Sequence, residues 1–131
     1  RGKAAPELVR PYQAVKDAQE EAIERIRDGA DGAKIHQGIC ERFESSGYRT
    51  GMVNGRMQGY FHGTGHGVGL DIHEAPRISR HGSILQEGHV VTVEPGLYYP
   101  ALGAVRIEDM VLVTKDGCRN LTNYPKLLEL E

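Results

Sequence analysis

The chain has 131 residues, with 16 basic and 18 acidic side chains and a formal net charge of -2. This length corresponds to about one domain. The slight negative charge argues against a nucleic-acid binder, because neutralising phosphates requires an excess of Lys and Arg. No apolar run in the sequence approaches the roughly 20 residues of a membrane span. We therefore expect partners that are neither nucleic acids nor membranes.

The two cysteines, Cys40 and Cys118, allow at most one disulfide bond. Two reduced thiols in a cytosolic protein are the simpler interpretation, since disulfides are rare in that compartment. The sequence begins Arg1-Gly2-Lys3, without a methionine or an apolar signal segment, which indicates processing or a fragment. On these grounds we expect a cytoplasmic protein.

The first half of the chain predicts two helices, together covering about residues 6–46. Pro6 suits a first helical position because its missing N–H would be unpaired there. Apolar residues then recur at three- and four-residue steps from Leu8 to Ile26. Pro11 leaves open whether the regular helix begins at Pro6 or near Pro11.

The second helix is bounded by two recognisable end signals. Asp31 is a suitable N-cap, since its carboxylate can accept hydrogen bonds from the first backbone N–H groups. Gly47 can end the helix in a left-handed conformation. Between them, three apolar residues recur at four-residue steps and predict one buried face: Ile35, Ile39 and Phe43.

The second half predicts strands and turns, with a sheet over about residues 59–131. Asn54-Gly55 indicates a tight hairpin turn. Val90–Val93 is a short β-branched run, and Ala104–Thr114 predicts a longer strand followed by the turn at 115–117. Helices followed by mostly antiparallel strands predict an α+β domain with a curved sheet.

A glycine- and histidine-rich segment, Phe61–Glu74, has three possible interpretations. A helical zinc motif is unfavourable, because four glycines would each destabilise a helix by about 1 kcal/mol relative to alanine. A phosphate-binding loop is weakly supported, since no Lys-Ser/Thr pair follows. The remaining interpretation is an extended, glycine-lined strand along which another backbone or a ligand can approach closely.

The six histidines of the chain divide into two groups. Three lie in the glycine-rich segment Phe61–Glu74, whose glycines remove bulk that would bury an imidazole, and this favours a functional role: His62, His66 and His73. On one strand His62 and His66 would share a face, and His73 would point to the other unless a bulge intervenes. The others are best interpreted as surface or satisfied core residues: His36, His81 and His89.

Two carboxylates lie on apolar strands. Glu94 ends the run Val90–Val93, and Glu108 lies inside Ala104–Thr114. Burying such a charge is unfavourable unless it is compensated. An ion pair between Glu108 and Arg106, two residues apart on one strand face, is one possible compensation. Together with a separate histidine strand, a metal ion becomes the better compensating charge.

The candidate ligand types limit which metal fits. One imidazole with several carboxylates suits Mn²⁺, Co²⁺ or Zn²⁺ rather than a thiolate structural zinc site. Carboxylates can also bridge two ions and support hydrolysis by a shared hydroxide. Three ligands can anchor one ion, whereas a two-metal site needs more acids, and Asp109 points away from the face of Glu108.

Three segments in order, His62–Pro76, Val93–Tyr98 and Val105–Asp109, strongly resemble the pita-bread metallopeptidases. This family includes aminopeptidase P, prolidase and methionine aminopeptidase, and the match runs from about Ala5 to the C-terminus. The Val-Glu-Pro-Gly-Leu-Tyr form is more similar to the Xaa-Pro aminopeptidase and dipeptidase branch. The resemblance implies a peptide substrate with proline at its second position.

The resemblance also implies roles for individual residues. Three are implied to be metal ligands, with Glu108 bridging two ions and Glu94 also shuttling a proton: His66, Glu94 and Glu108. His62 and His73 match histidines that hold the scissile peptide and stabilise its oxyanion. Arg106 and Tyr98 match supporting positions. The complete enzyme is implied to use two divalent ions, with Mn²⁺ preferred over Co²⁺ or Zn²⁺.

One departure from the family pattern concerns two further ligands. The family uses two aspartates on strands that precede the first helix, and Asp17, Asp28 and Asp31 do not match them. We therefore expect residues 1–131 to be a partial, inactive catalytic domain that self-associates or binds a complementing polypeptide. The alternative is a non-catalytic pita-bread binding module, although such modules lose ligands that are intact here.

Overall fold

The computed structural model of the chain describes residues 2–130. Helix α1 covers Pro6–Glu24 and helix α2 covers Gly32–Ser45, and all the strands follow them. The predicted order, two helices followed by mostly antiparallel sheet, is confirmed. Among residues 2–130, neither helix is long and apolar enough to cross a membrane.

Helix α1 begins at Pro6 and continues through Pro11, so the earlier of the two predicted starts is correct. Pro11 lies close enough to the N-terminus that it interrupts only the first part of the hydrogen-bond ladder. The helix ends at Glu24, before the predicted Ile26. Ile26 is nevertheless fully buried, because the chain turns back onto the core after the helix.

Both predicted end signals of helix α2 are confirmed. Asp31 Oδ1 accepts hydrogen bonds from the backbone N–H groups of Ala33 at 2.8 Å and Lys34 at 3.3 Å. Gly47, just beyond the helix, has a φ of +87°. The predicted apolar face is buried in the core: Ile35, Ile39 and Phe43.

The strands form one five-stranded antiparallel sheet and two hairpins. The hairpins join β1 (Gly51–Val53) with β2 (Arg56–Gln58), and β6 (Gly96–Tyr99) with β7 (Gly103–Arg106). The large sheet has the spatial order β4 (Glu74–Ile78), β3 (Gly65–Gly67), β5 (Val90–Val93), β8 (Asp109–Val113) and β9 (Cys118–Asn120). The predicted turn at Asn54-Gly55 connects β1 and β2, and both of its residues have positive φ.

The prediction of one long strand over Ala104–Thr114 is wrong. Strand β7 pairs with β6, whereas β8 pairs with β5 and β9, and Ile107-Glu108 separates the two. The apolar alternation continues through Ile107 and hides the break, because each half alternates correctly for its own sheet. The large sheet also ends at Asn120 rather than at the predicted C-terminus.

The extended strand predicted over Phe61–Glu74 is regular only at Gly65–Gly67. Close backbone approach is nonetheless observed there. A Cβ added at Gly65 would lie 1.8 Å from the carbonyl oxygen of Thr92, and one at Gly67 would lie 2.1 Å from that of Ala75. Both distances are far below van der Waals contact, so β3 fits between β4 and β5 only with glycine at these positions.

The hydrophobic core lies between the two helices and the sheet. Helix α1 contacts α2 and strands β5, β6 and β7, and helix α2 contacts β4. The core residues from the helices meet four fully buried valines of the sheet: Val91, Val93, Val111 and Val113. This packing holds the ends of β3 and β5 side by side, where the candidate site lies.

Candidate metal centre

His66 and Glu94 are brought together at the junction of β3 and β5. His66 lies in the middle of β3, and Glu94 follows the last residue of β5 and is only 8% exposed. The antiparallel pairing of Gly67 with Val91 places the two side chains beside each other. As a result, His66 Nε2 lies 3.1 Å from Glu94 Oε1.

The hydrogen bonds of this pair define its chemistry. His66 Nδ1 lies 2.9 Å from the carbonyl oxygen of Gly67, which can only accept, so Nδ1 carries a proton. Glu94 Oε1 also accepts a hydrogen bond from Thr92 Oγ1 at 3.1 Å. Nε2 therefore presents a lone pair to a carboxylate oxygen, unless His66 binds a second proton. Two facing electron-pair donors require a proton or a cation between them.

A divalent metal ion fits this pair. Two ligand atoms that each bind one ion at about 2.1 Å lie roughly 3 Å apart, which is close to the 3.1 Å between His66 Nε2 and Glu94 Oε1. Imidazole with carboxylate is also a donor set that Mn²⁺ and Zn²⁺ accept. Within residues 2–130, however, no three His, Cys, Asp or Glu side chains are grouped closely enough to hold an ion.

The third predicted ligand, Glu108, is not grouped with His66 and Glu94 in the part of the chain that the structure describes. It lines a cleft of about 540 Å³ whose wall also includes His66 and Thr92. Glu108 is exposed, so the expectation of a buried carboxylate in an apolar strand is wrong at this position. The break between β7 and β8 turns its side chain outward into this cleft.

The buried carboxylate of this region is Asp109, the residue after Glu108. Its oxygens lie 2.7 Å from Lys126 Nζ and 2.7 Å from Thr122 Oγ1. Burial acts to raise the pKa of Asp109, but the hydrogen bonds from Lys126 and Thr122 outweigh it and lower this pKa. Asp109 therefore has its own local partners and anchors the segment after β9 to β8.

Among the described residues Arg106 pairs with Glu94 and not with Glu108, so the alternative compensation considered for Glu108 is not formed. Arg106 Nη1 lies 3.4 Å from Glu94 Oε2, and the guanidinium also stacks over the Tyr98 ring at 5.7 Å from its centroid. The β6–β7 hairpin explains this arrangement, because it pairs Arg106 with Gly96, two residues after Glu94. Arg106 and Tyr98 thus lie beside the site, as supporting residues would.

His62 lines a second cleft, together with Glu94 and Arg106. Its Nδ1 donates to the carbonyl oxygen of Gly63 at 2.8 Å, and Arg106 Nη2 donates to its Nε2 at 3.4 Å. Burial lowers the pKa of His62, which favours the neutral ring. The ring also packs edge-on against Tyr98 at a centroid distance of 5.3 Å. His62 does not share a strand with His66, contrary to the prediction.

His73 reaches His66 because of a bulge. The pairing of β3 with β4 shifts register between His66 and Gly67. The two imidazole rings meet edge-on with centroids 4.5 Å apart, and His73 is exposed. This second cleft, of about 230 Å³, is lined by His62, Gly63, Gly65, His66, His73, Arg77, Ser79, Glu94 and Arg106.

Sequence reasoning missed Thr92, which contacts both halves of the pair. Its hydroxyl accepts a hydrogen bond from the backbone N–H of His66 at 3.1 Å while donating to Glu94. A signal was available, because Thr92 is the polar residue in an otherwise apolar run and lies two positions before Glu94. The roles of His66, Glu94 and Glu108 as ligands, and of His62, His73 and Arg106 as catalytic residues, stay predictions.

Comparison with known proteins identifies the group to which this arrangement belongs. The model of metallopeptidase family M24 matches residues 1–115. An Xaa-Pro dipeptidase of Pyrococcus furiosus is 42% identical over 118 residues, covering 89% of this chain and 32% of that protein. A putative Xaa-Pro aminopeptidase of Mycoplasma genitalium is 39% identical over 110 residues, covering 83% of this chain and 29% of its own length.

Solved structures give the same result for the fold. The X-Pro aminopeptidase of Thermotoga maritima superimposes with a TM-score of 0.84 at 34% identity, covering 96% of this chain and 34% of that one. A dipeptidase of Pyrococcus horikoshii gives a TM-score of 0.81 at 40% identity, with coverages of 95% and 33%. The chain therefore spans about a third of the length of these relatives. It has the pita-bread architecture of these peptidases, and it belongs to metallopeptidase family M24.

Proposed function

We propose that the protein containing this sequence is a metal-dependent exopeptidase that hydrolyses the bond between an N-terminal residue and proline. The observation that carries the proposal is the facing pair of electron donors, His66 Nε2 and Glu94 Oε1, at 3.1 Å. The relatives that are named Xaa-Pro dipeptidase or aminopeptidase support the substrate class.

The metal in this proposal is held by His66, Glu94 and Glu108. Family membership supports divalent metal, and we propose two ions, with Mn²⁺ preferred over Co²⁺ or Zn²⁺. A bound divalent ion supplies hydroxide at neutral pH by lowering the pKa of its water. Three ligands are too few for two ions, so we propose that further carboxylates come from outside these 131 residues.

The remaining side chains bind and orient the peptide. Glu94 Oε2 faces Arg106 at 3.4 Å and is the carboxylate oxygen available to take a proton from the attacking water and pass it to the leaving nitrogen. Arg106 orients this carboxylate. His62 lines the second cleft and contacts the bound peptide there, and the exposed His73 is the donor for the oxyanion.

We also propose that the exposed loop beside the Glu108 cleft is covered in the assembled protein. Leu70 and Ile72 are 105% and 85% exposed, and Val68 beside them is 43% exposed. Contiguous apolar surface of this kind is typical of an interface. A second copy of the chain or a complementing polypeptide is the proposed partner. The free thiols of Cys40 and Cys118 support a cytoplasmic location.

The test is release of the first residue from an Xaa-Pro peptide by the protein, expressed at the full length its gene encodes and supplied with Mn²⁺. We expect activity that a chelator abolishes and that Glu108→Gln reduces to below about 1% of wild type. Glu87→Gln, an exposed glutamate outside both clefts, is the matched control and should retain full activity.

Two outcomes would reject the proposal. In the first, no peptide is cleaved although Mn²⁺ binds, which favours the non-catalytic binding module. In the second, Glu108→Gln and Glu87→Gln have equal activity, which removes Glu108 from the reaction.

A further inference from the structure

A buried polar cluster lies behind the site, on the core side of the glycine-histidine segment. At its centre is Thr64, which is 0% exposed and lies between His62 and His66 in the sequence. Its hydroxyl lies 2.9 Å from His36 Nδ1 and 2.5 Å from the Tyr60 hydroxyl. A buried hydroxyl needs such partners, because an unpaired one would be strongly unfavourable.

Thr64 is also tied to the site through its backbone. Its carbonyl oxygen accepts a hydrogen bond of 2.7 Å from the backbone N–H of Glu94. Its own N–H donates to the carbonyl oxygen of Ile78 at 2.7 Å. Gly65, which follows it, begins β3 and leads directly into His66. The backbone of Thr64 is therefore joined directly to the segments that carry His66 and Glu94.

His36 connects this cluster to helix α2. Its Nε2 lies 3.5 Å from the thiol of Cys40, one helical turn further along, so both ring nitrogens have partners. The pKa of His36 is lowered, mainly by burial and secondly by the nearby His62. A neutral His36 gives Thr64 a directional partner without adding a charge to the core.

We propose that His36 is a positioning residue for the metal centre and acts through Thr64. Its Nδ1 fixes the Thr64 hydroxyl, and the Thr64 backbone in turn holds Glu94 beside His66 at ligand spacing. The inference rests on the proposed metal site, and it assigns a role to a histidine that the sequence alone interprets as a surface or satisfied core residue.

A purely structural role for His36 makes a different prediction. If His36 only fills space, replacing it lowers stability but leaves the folded site unchanged. Two isosteric replacements separate these cases. Asn offers a hydrogen-bonding atom close to the position of Nδ1, whereas Leu has nearly the same shape and offers none. Thr64→Ser and Thr64→Val form the corresponding pair on the other side of the contact.

The experiment uses the full-length protein and three measurements: the Kd for Mn²⁺ by calorimetry, kcat and KM for an Xaa-Pro peptide, and the unfolding temperature. We expect His36→Leu to weaken Mn²⁺ binding about tenfold or more and to lower kcat with little change in KM. His36→Asn should restore both values to within about threefold of wild type. Thr64→Val should weaken Mn²⁺ binding and lower kcat as His36→Leu does, and Thr64→Ser should retain both values as His36→Asn does.

The results separate this inference from the proposed function. If wild type binds Mn²⁺ but cleaves nothing, while the Kd still differs between Asn and Leu, the inference stands and the function fails. If wild type cleaves the peptide but Asn and Leu give equal Kd and kcat, the inference fails and the function stands. A wild type that does not bind Mn²⁺ overturns the inference. If His36→Leu does not fold, the Thr64 pair decides by the same criteria.

Discussion

His66 Nε2 and Glu94 Oε1 lie 3.1 Å apart. Each residue also has a second hydrogen-bonding partner: the carbonyl oxygen of Gly67 for His66, and the hydroxyl of Thr92 for Glu94. A neutral His66 carries one ring proton, on Nδ1, and donates it to the Gly67 carbonyl oxygen, so Nε2 has a lone pair directed at Glu94. The Thr92 hydroxyl donates to Glu94 Oε1. The pair therefore needs a proton or a cation between its members, and we propose that a metal ion takes this place. The proposed metal centre and the proposed hydrolase activity depend on this relationship.

The close packing of β3 against β5 predicts that Gly65→Ala strongly destabilises the fold. The added methyl group would lie 1.8 Å from the carbonyl oxygen of Thr92, and such overpacking costs typically about 1–3 kcal/mol or more. Urea unfolding measures the loss. Gly51→Ala is the control, because its methyl group meets nothing within 4 Å. Equal stability of the two variants would contradict the close approach.

The buried carboxylate of Asp109 predicts a stabilising role for Lys126. Lys126→Met removes the partner at 2.7 Å and leaves a carboxylate that is only 3% exposed without its cation. We expect a loss of about 1–3 kcal/mol in the free energy of unfolding. Lys115→Met, at an exposed turn, should change this free energy by less than about 0.5 kcal/mol. An equal loss of unfolding free energy in both variants would contradict a stabilising role for the Lys126–Asp109 ion pair.

The half-buried His36 predicts a pH dependence of stability. Burial, and secondarily His62, lowers the pKa of His36 below its usual value of 6.5, so the unfolded chain binds a proton at higher pH than the folded one. Its stabilising contribution is complete above about pH 6.5 and is lost as the pH falls through that value toward the folded pKa. We expect the free energy of unfolding to fall between about pH 7 and pH 5, and to fall less in His36→Asn. Identical slopes for wild type and variant would contradict this.

The exposed loop at Leu70 and Ile72 predicts self-association of the isolated 131-residue chain. Burying two apolar side chains that are 105% and 85% exposed favours contact between copies. Sedimentation should show species larger than a monomer, and Leu70→Gln with Ile72→Gln should shift them to monomer. Met52→Gln, which changes a 63% exposed residue on β1, should have no such effect. A monomeric wild type would count against the proposed interface.

Local signals in the sequence predicted the elements whose ends depend on nearby residues. Asp31 caps α2, Gly47 ends it, and Asn54-Gly55 forms the β1–β2 turn, because each depends on hydrogen bonds or φ angles within a few residues. The break at Ile107-Glu108 was not predictable in this way. It depends on which strands pair with each half, and the alternation of apolar residues is the same on either side.

Motifs in the sequence predicted which residues belong to the site. They did not predict the contacts that only the tertiary structure creates. The motifs identified His66 and Glu94, which the structure places side by side. They did not show the partner of Arg106, because the hairpin register brings it to Glu94. The contact of His36 with Thr64 spans 28 residues and has no signal in the spacing of either residue.

The most direct test of the central claim is anomalous diffraction from crystals of the full-length protein soaked with Mn²⁺. We predict an anomalous peak bound by His66 Nε2, by a Glu94 carboxylate oxygen and by the Glu108 carboxylate. Crystals that bind Mn²⁺ only elsewhere, with His66 Nε2 donating a proton directly to Glu94, would contradict the metal centre and the hydrolase built on it.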